Sequence, residues 1–87
     1  MISQILGSKG RVRLLTQLFK HGEICITELA RKSNLNYTST SRHVDILVRL
    51  GIVSDIRYGG VRMIKPVKKN MVFVFNEEYG AAMFRND

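Results

Sequence analysis

The sequence predicts an α+β domain in which three helical segments precede a β-hairpin. Three observations carry that prediction. Apolar residues recur at helical spacing in two long segments, and each helical segment ends on a glycine or asparagine. After Gly51 the text turns β-branched and alternating, and Gly59-Gly60 separates two such runs. At 87 residues the chain is expected to form one domain over 1–87, near the lower end of what folds on a single core.

Ser8 precedes "KGRVRLLTQLFKHG", where Val12, Leu15 and Phe19, flanked by Leu14 and Leu18, recur at helical spacing. Ser8 is the expected N-cap and Gly22 the exit, so the first helix covers about residues 9 to 21. Gly10 weakens its first turn. Ile24-Cys25-Ile26 reads as a very short strand, and Thr27 as the N-cap of a second helix, "ELARKS". Asn34 ends that helix because asparagine tolerates a left-handed backbone, Leu35 plugs the turn, and Asn36 caps the next helix. The third helix, "YTSTSRHVDILVRL", puts Thr40, Val44, Leu47 and Gly51 on one face and Thr38, Arg42, Asp45 and Arg49 on the other. Its leading half is rich in hydroxyls and poor in apolar residues, which packing alone does not call for.

Beyond Gly51, "IVSDIRY", "VRMIKPV" and "MVFVFN" read as strands. Gly59-Gly60 and Lys68-Lys69-Asn70 are competing turns, so residues 52–76 form either a long-tipped hairpin or three short strands. Pro66 points to an edge strand. Asn76 caps a short final helix at about 77–85.

Two helices joined by the tight turn Asn34-Leu35-Asn36 make a helix-turn-helix over about 27–50, and the hairpin at about 52–76 makes it winged. An α-helix fits the DNA major groove, and a hairpin reaches the neighbouring backbone or minor groove. The expected groove-facing residues are Asn36, Tyr37, Thr38, Ser39, Ser41, Arg42 and His43. Hydroxyls suit phosphate oxygens and base edges, and an arginine can grip guanine in bidentate fashion. Arg57, Arg62, Lys65, Lys68 and Lys69 fall on the hairpin, with no acid between Asp55 and Glu77. That run is what a phosphate-contacting wing requires. Lys9, Arg11 and Arg13 add weaker candidates for backbone contact. The whole chain agrees in sign: 14 Lys and Arg against 7 Asp and Glu give +7, which favours polyanions.

The stretch from Leu6 to Val53 resembles winged-helix transcription regulators of the ArsR type, small archaeal members in particular. The resemblance rests on "LGSKGRVRLLTQLFKHGE" and "ITELARKSNLNYTSTSRHVDILVRLGIV". Its most specific part is Ser41-Arg42-His43-Val44, then Leu47 and Gly51-Ile52-Val53. It departs in the hairpin, which is longer than the family's wing. The resemblance implies a homodimer on a near-palindromic double-stranded DNA operator, with half-sites about 34–36 Å apart. Tyr79, Ala82, Met83 and Phe84, or alternatively Ile2 and Ile5, offer apolar surface for dimerisation. "EICITEL" also resembles the metal-sensing motif of ArsR-type repressors, Glu-Leu-Cys-Val-Cys-Asp-Leu. Cys25 matches the first cysteine, but Thr27 replaces the second, and a soft-metal site needs two or three thiolates. The expectation is therefore a buried, inert thiol, no metal and no cofactor.

Other classes fit less well. An interaction module within a transcription or replication assembly is the alternative function; an acidic hairpin or an apolar third-helix face would favour it, and neither is present. The two histidines, His21 and His43, fall on different helices, without a triad, paired carboxylates or a phosphate loop, so no enzyme is expected. The longest apolar runs fall far short of the roughly 20 residues of a membrane span. "MISQILGSKGR" does not read as a secretory signal, and a cytoplasmic location is expected.

Overall fold

The computed structural model describes residues 7–67. Lys68, Lys69, the expected strand "MVFVFN", the expected helix at about 77–85 and the dimerisation candidates Ile2, Ile5, Tyr79, Ala82, Met83 and Phe84 lie outside the described residues. Within them the order is α1 (Lys9–His21), β1 (Ile24–Cys25), α2 (Ile26–Lys32), α3 (Tyr37–Arg49), β2 (Val53–Tyr58) and β3 (Val61–Pro66).

Local chemistry sets most of these limits. The Ser8 hydroxyl accepts from the Arg11 N–H, and Gly22, at φ 75°, closes α1 by donating to the Leu18 carbonyl. Helix α2 leaves through Asn34 at φ 56°. There the Asn34 N–H donates to the Arg31 carbonyl and the Leu35 N–H to the Ala30 carbonyl, the paired bonds of a Schellman motif. Helix α3 repeats the motif at Gly51, φ 75°, through Gly51 to Val48 and Ile52 to Leu47. At its other end the Asn36 side chain accepts from the Ser39 N–H at 2.7 Å. The expected Thr27 cap of α2 is corrected. The helix begins at Ile26 with Cys25 in the capping position and no side-chain cap bond, because β1 hands over to the helix within one residue.

The core is Leu14, Leu15 and Leu18 from α1, Ile26 and Leu29 from α2, Val44 and Leu47 from α3, and Ile24, Ile52, Val53 and Ile64 from the sheet side. On α1 the inward face is Leu14, Leu15 and Leu18, while Phe19 is 41% exposed. Gly10 has a packing role that helix propensity hides. A Cβ there would come within 3.2 Å of Leu35 Cδ2 and 3.3 Å of His43 Nε2, so glycine lets α1 lie close to the turn and α3.

The sheet order is β1-β3-β2, antiparallel throughout. The hairpin turns at Gly59-Gly60, with Tyr58 opposite Val61; Gly59 alone of the two takes a positive φ, 61°, as a type II′ loop requires. Strand β3 is central, which corrects the edge reading of Pro66. Strand β1 pairs only with Met63 and Ile64, so Pro66 sits past its end, where the missing N–H leaves no ladder bond unmade on that side.

Candidate nucleic-acid interface

Helix α3 carries two faces with separate chemistry. Thr40, Val44 and Leu47 are fully buried, and the Thr40 hydroxyl is satisfied by the Asn36 carbonyl at 2.8 Å. Around the helix, Tyr37, Thr38, Arg42, Asp45 and Arg49 are exposed, Tyr37 by 50%. A short polar turn and a rigid core beneath thus present tyrosine, threonine and arginine side chains from the first turns of α3.

The seven expected residues of this helix do not all share that surface. Tyr37, Thr38 and Arg42 do, with Ser39 half-buried beside them. Asn36 is exposed, but its carboxamide oxygen is occupied as the cap. The Ser41 hydroxyl turns toward the wing and accepts from Arg62 Nη1 at 2.8 Å. His43 turns toward α1, where its Nδ1 accepts from Arg11 Nε at 3.2 Å. An accepting Nδ1 needs a neutral ring. Burial, then the charges of Arg11, Arg42 and Arg13, lower the His43 pKa and keep it neutral. Arg13 serves structure as well, donating from Nε to the Ser33 carbonyl at 2.9 Å.

The wing holds the larger correction. Arg57 and Lys65 are exposed on β2 and β3, but Arg62 is only 8% exposed and does not stand among the outward cations. Its Nε donates to Asp55 Oδ2 at 2.7 Å, and its Nη2 donates to Asp45 Oδ1 at 3.0 Å. Strand alternation explains the placement: Arg62 shares the inward phase of Ile64 and Pro66, while Val61 and Lys65 point out. Arg57 lies directly across the ladder from Arg62, and two carboxylates offset that like-charge pairing. Burial alone would lower the Arg62 pKa. Hydrogen bonds to Asp55 and Tyr37, with the charges of Asp55 and Asp45, outweigh it and hold the guanidinium charged. Asp45 and Asp55 are the residues sequence reasoning missed here. The usable signal was the Gly59-Gly60 turn, which fixes the register and brings Asp55 diagonal to Arg62.

Cys25 is half-buried, which corrects the expectation of a buried thiol. Ile24 and Ile26 point into the core and Cys25 away from it, its Sγ 3.4 Å from the Thr27 hydroxyl. That hydroxyl, then the Glu28 backbone, lowers the thiol pKa. Among the described residues no group of three or more His, Cys, Asp or Glu side chains could hold a metal ion, and no helix is long and apolar enough to cross a membrane.

Fold and surface together define a winged helix-turn-helix domain. Residues 8–55, more than half of the chain, match the family model described as bacterial regulatory protein, arsR family. The chain belongs to the arsR family of regulatory proteins. Solved structures with the same fold include the antimony-specific transcriptional repressor AntR, at 22% identity and TM-score 0.76 over 87% of this chain and 68% of that one. The homodimeric winged helix-turn-helix DNA-binding domain of a possible ArsR-family regulator from Mycobacterium bovis is 21% identical, with TM-score 0.73 over 87% and 69%. The transcriptional repressor BigR from Xylella fastidiosa is 19% identical, with TM-score 0.78 over 97% and 85%. No curated protein sequence matches the chain.

Proposed function

We propose that this protein is a sequence-specific, double-stranded DNA-binding transcription regulator that works as a homodimer, with the start of α3 in the major groove. The observation that carries the reading is the outward face of Tyr37, Thr38 and Arg42, which the fold positions rigidly and the core does not use. Arg42 reads a base edge. Arg57 and Lys65, with Lys68 and Lys69, neutralise phosphates on the flank. A net charge of +7 supports attraction to a polyanion, and membership of a family of regulators supports the biological role.

Homodimerisation is supported by the homodimeric state of the Mycobacterium bovis domain. Ile2, Ile5, Tyr79, Ala82, Met83 and Phe84 are the proposed contact residues. Catalysis and metal sensing form no part of the reading: a single thiol at position 25 falls short of the donors a soft metal needs. The cytoplasm is the proposed location.

Selection of bound duplexes from a random DNA library, at stated salt, tests the proposal. A near-palindromic consensus is the expected result. A flat pool whose retention vanishes as salt rises would favour the interaction-module reading instead.

A further inference from the structure

Arg62 is a buried cation that neither the core nor the exposed face of α3 accounts for. Besides Tyr37, its one planar guanidinium binds partners on two elements: Asp55 of β2 at 2.7 Å, Ser41 of α3 at 2.8 Å and Asp45 of α3 at 3.0 Å. Asp55 is 18% exposed and Asp45 62% exposed, so the network runs from the interior of the wing to the rim of the reading face. A guanidinium offers its donors in a fixed fork, and bonds to several partners at once fix where those partners stand. Val53 and Ile64 anchor the base of the hairpin in the core and β1 pairs with Met63 and Ile64, but beyond them the two strands pair only with each other. There β3, the central strand of the sheet, is tied by Arg62 to the helix that carries Tyr37, Thr38 and Arg42.

We propose that Arg62 is a positioning residue that locks the wing to the recognition helix, and that sequence discrimination depends on it while electrostatic attraction to DNA does not. The inference rests on the DNA-binding reading above. Base contacts require donors and acceptors held within a fraction of an ångström, roughly 0.5 Å. Phosphate attraction tolerates looser placement, because it acts through charge and counterion release. Arg62 adds no outward cation, since its guanidinium is turned to Asp55 and Asp45.

The test compares the full chain with Arg62→Met and Asp55→Asn, using the duplex selected by the unmodified protein and a scrambled duplex across a salt series. Arg62→Met is expected to lower the ratio of the two affinities by about tenfold or more, with the slope of log affinity against log salt unchanged. Hydrogen exchange of the hairpin amides in the DNA-free protein is expected to speed up by a similar factor. A folded Arg62→Met that keeps the ratio overturns the proposal. A slope reduced by about 0.9 also overturns it, because that is the signature of a lost phosphate contact. Should Arg62→Met fail to fold, Asp55→Asn decides: it keeps the side-chain shape and removes the carboxylate charge away from the reading face. A several-fold loss of the ratio supports the proposal, and an unchanged ratio overturns it. An unmodified protein with no preference for any duplex overturns the DNA reading itself, and the discrimination claim with it. A preference kept in both variants overturns the role of Arg62 alone.

Discussion

Along α3, Tyr37, Thr38 and Arg42 face outward while Thr40, Val44 and Leu47 anchor the helix from behind. Along the hairpin, Arg57 and Lys65 are exposed, but Arg62 is buried against Asp55 and Asp45. The helix is held by apolar burial, and the wing adds an ion network to its apolar anchors Val53 and Ile64. Cations close together in sequence therefore have different duties: Arg42, Arg57 and Lys65 are presented, and Arg62 is structural. A count of basic residues on a hairpin cannot separate the two, and strand phase sets only Lys65 apart: Arg57 shares a sheet face with Arg62 but stays exposed near the tip, while Arg62 is buried against Asp55 and Asp45.

The largest effect is expected in the core. Leu47→Ala removes a fully buried side chain under α3 and is expected to cost about 2–5 kcal/mol, read by denaturant unfolding. A loss below about 1 kcal/mol would mean that the helix is not held from beneath. Next comes the reading face. Arg42→Ala should leave the melting temperature within a few degrees while sequence discrimination falls by roughly 1–3 kcal/mol, measured on matched and mismatched duplexes. Unchanged preference would remove Arg42 from the interface.

Asn36→Ala comes third. It deletes the 2.7 Å cap to Ser39, with an expected loss of about 1 kcal/mol in thermal or denaturant stability. The smallest effect is one of pH. The folded-state pKa of His43 is lowered, so above the unfolded value of about 6.5 both states are neutral and the Arg11 contact is fully available. As pH falls below that value the unfolded chain takes up the proton first, and stability declines toward the folded pKa. The melting temperature of the unmodified chain should drop from pH 7 to pH 5 more than that of His43→Gln. Equal slopes would place His43 in an unperturbed setting.

Short-range chemistry was the legible part. Ser8, Gly22, Asn34, Asn36 and Gly51 each mark a helix end, because a cap depends on neighbours a few residues away. The reading of α3 as one buried and one polar face has the same origin, a period of 3.6 in its own residues. What sequence hid depends on partners distant in the chain. Gly10 matters because α3 and Leu35 press on it, and Pro66 sits in a central strand because β1 covers only two of its neighbours. Cys25 is turned from the core by a two-residue strand too short to declare its phase. Arg62 groups with the other wing cations as long as Gly59-Gly60 and Lys68-Lys69-Asn70 compete as the turn. Once the turn is placed at Gly59-Gly60, alternation groups Arg62 with Ile64, and the register brings Asp55 beside it.

The most direct test of the account maps the surface that DNA touches. Titration of isotope-labelled protein with its selected duplex is expected to give the largest amide shifts at Tyr37, Thr38, Ser39 and Arg42, with a second set around Arg57. Shifts centred on α1 and α2, with the start of α3 unmoved, would contradict it.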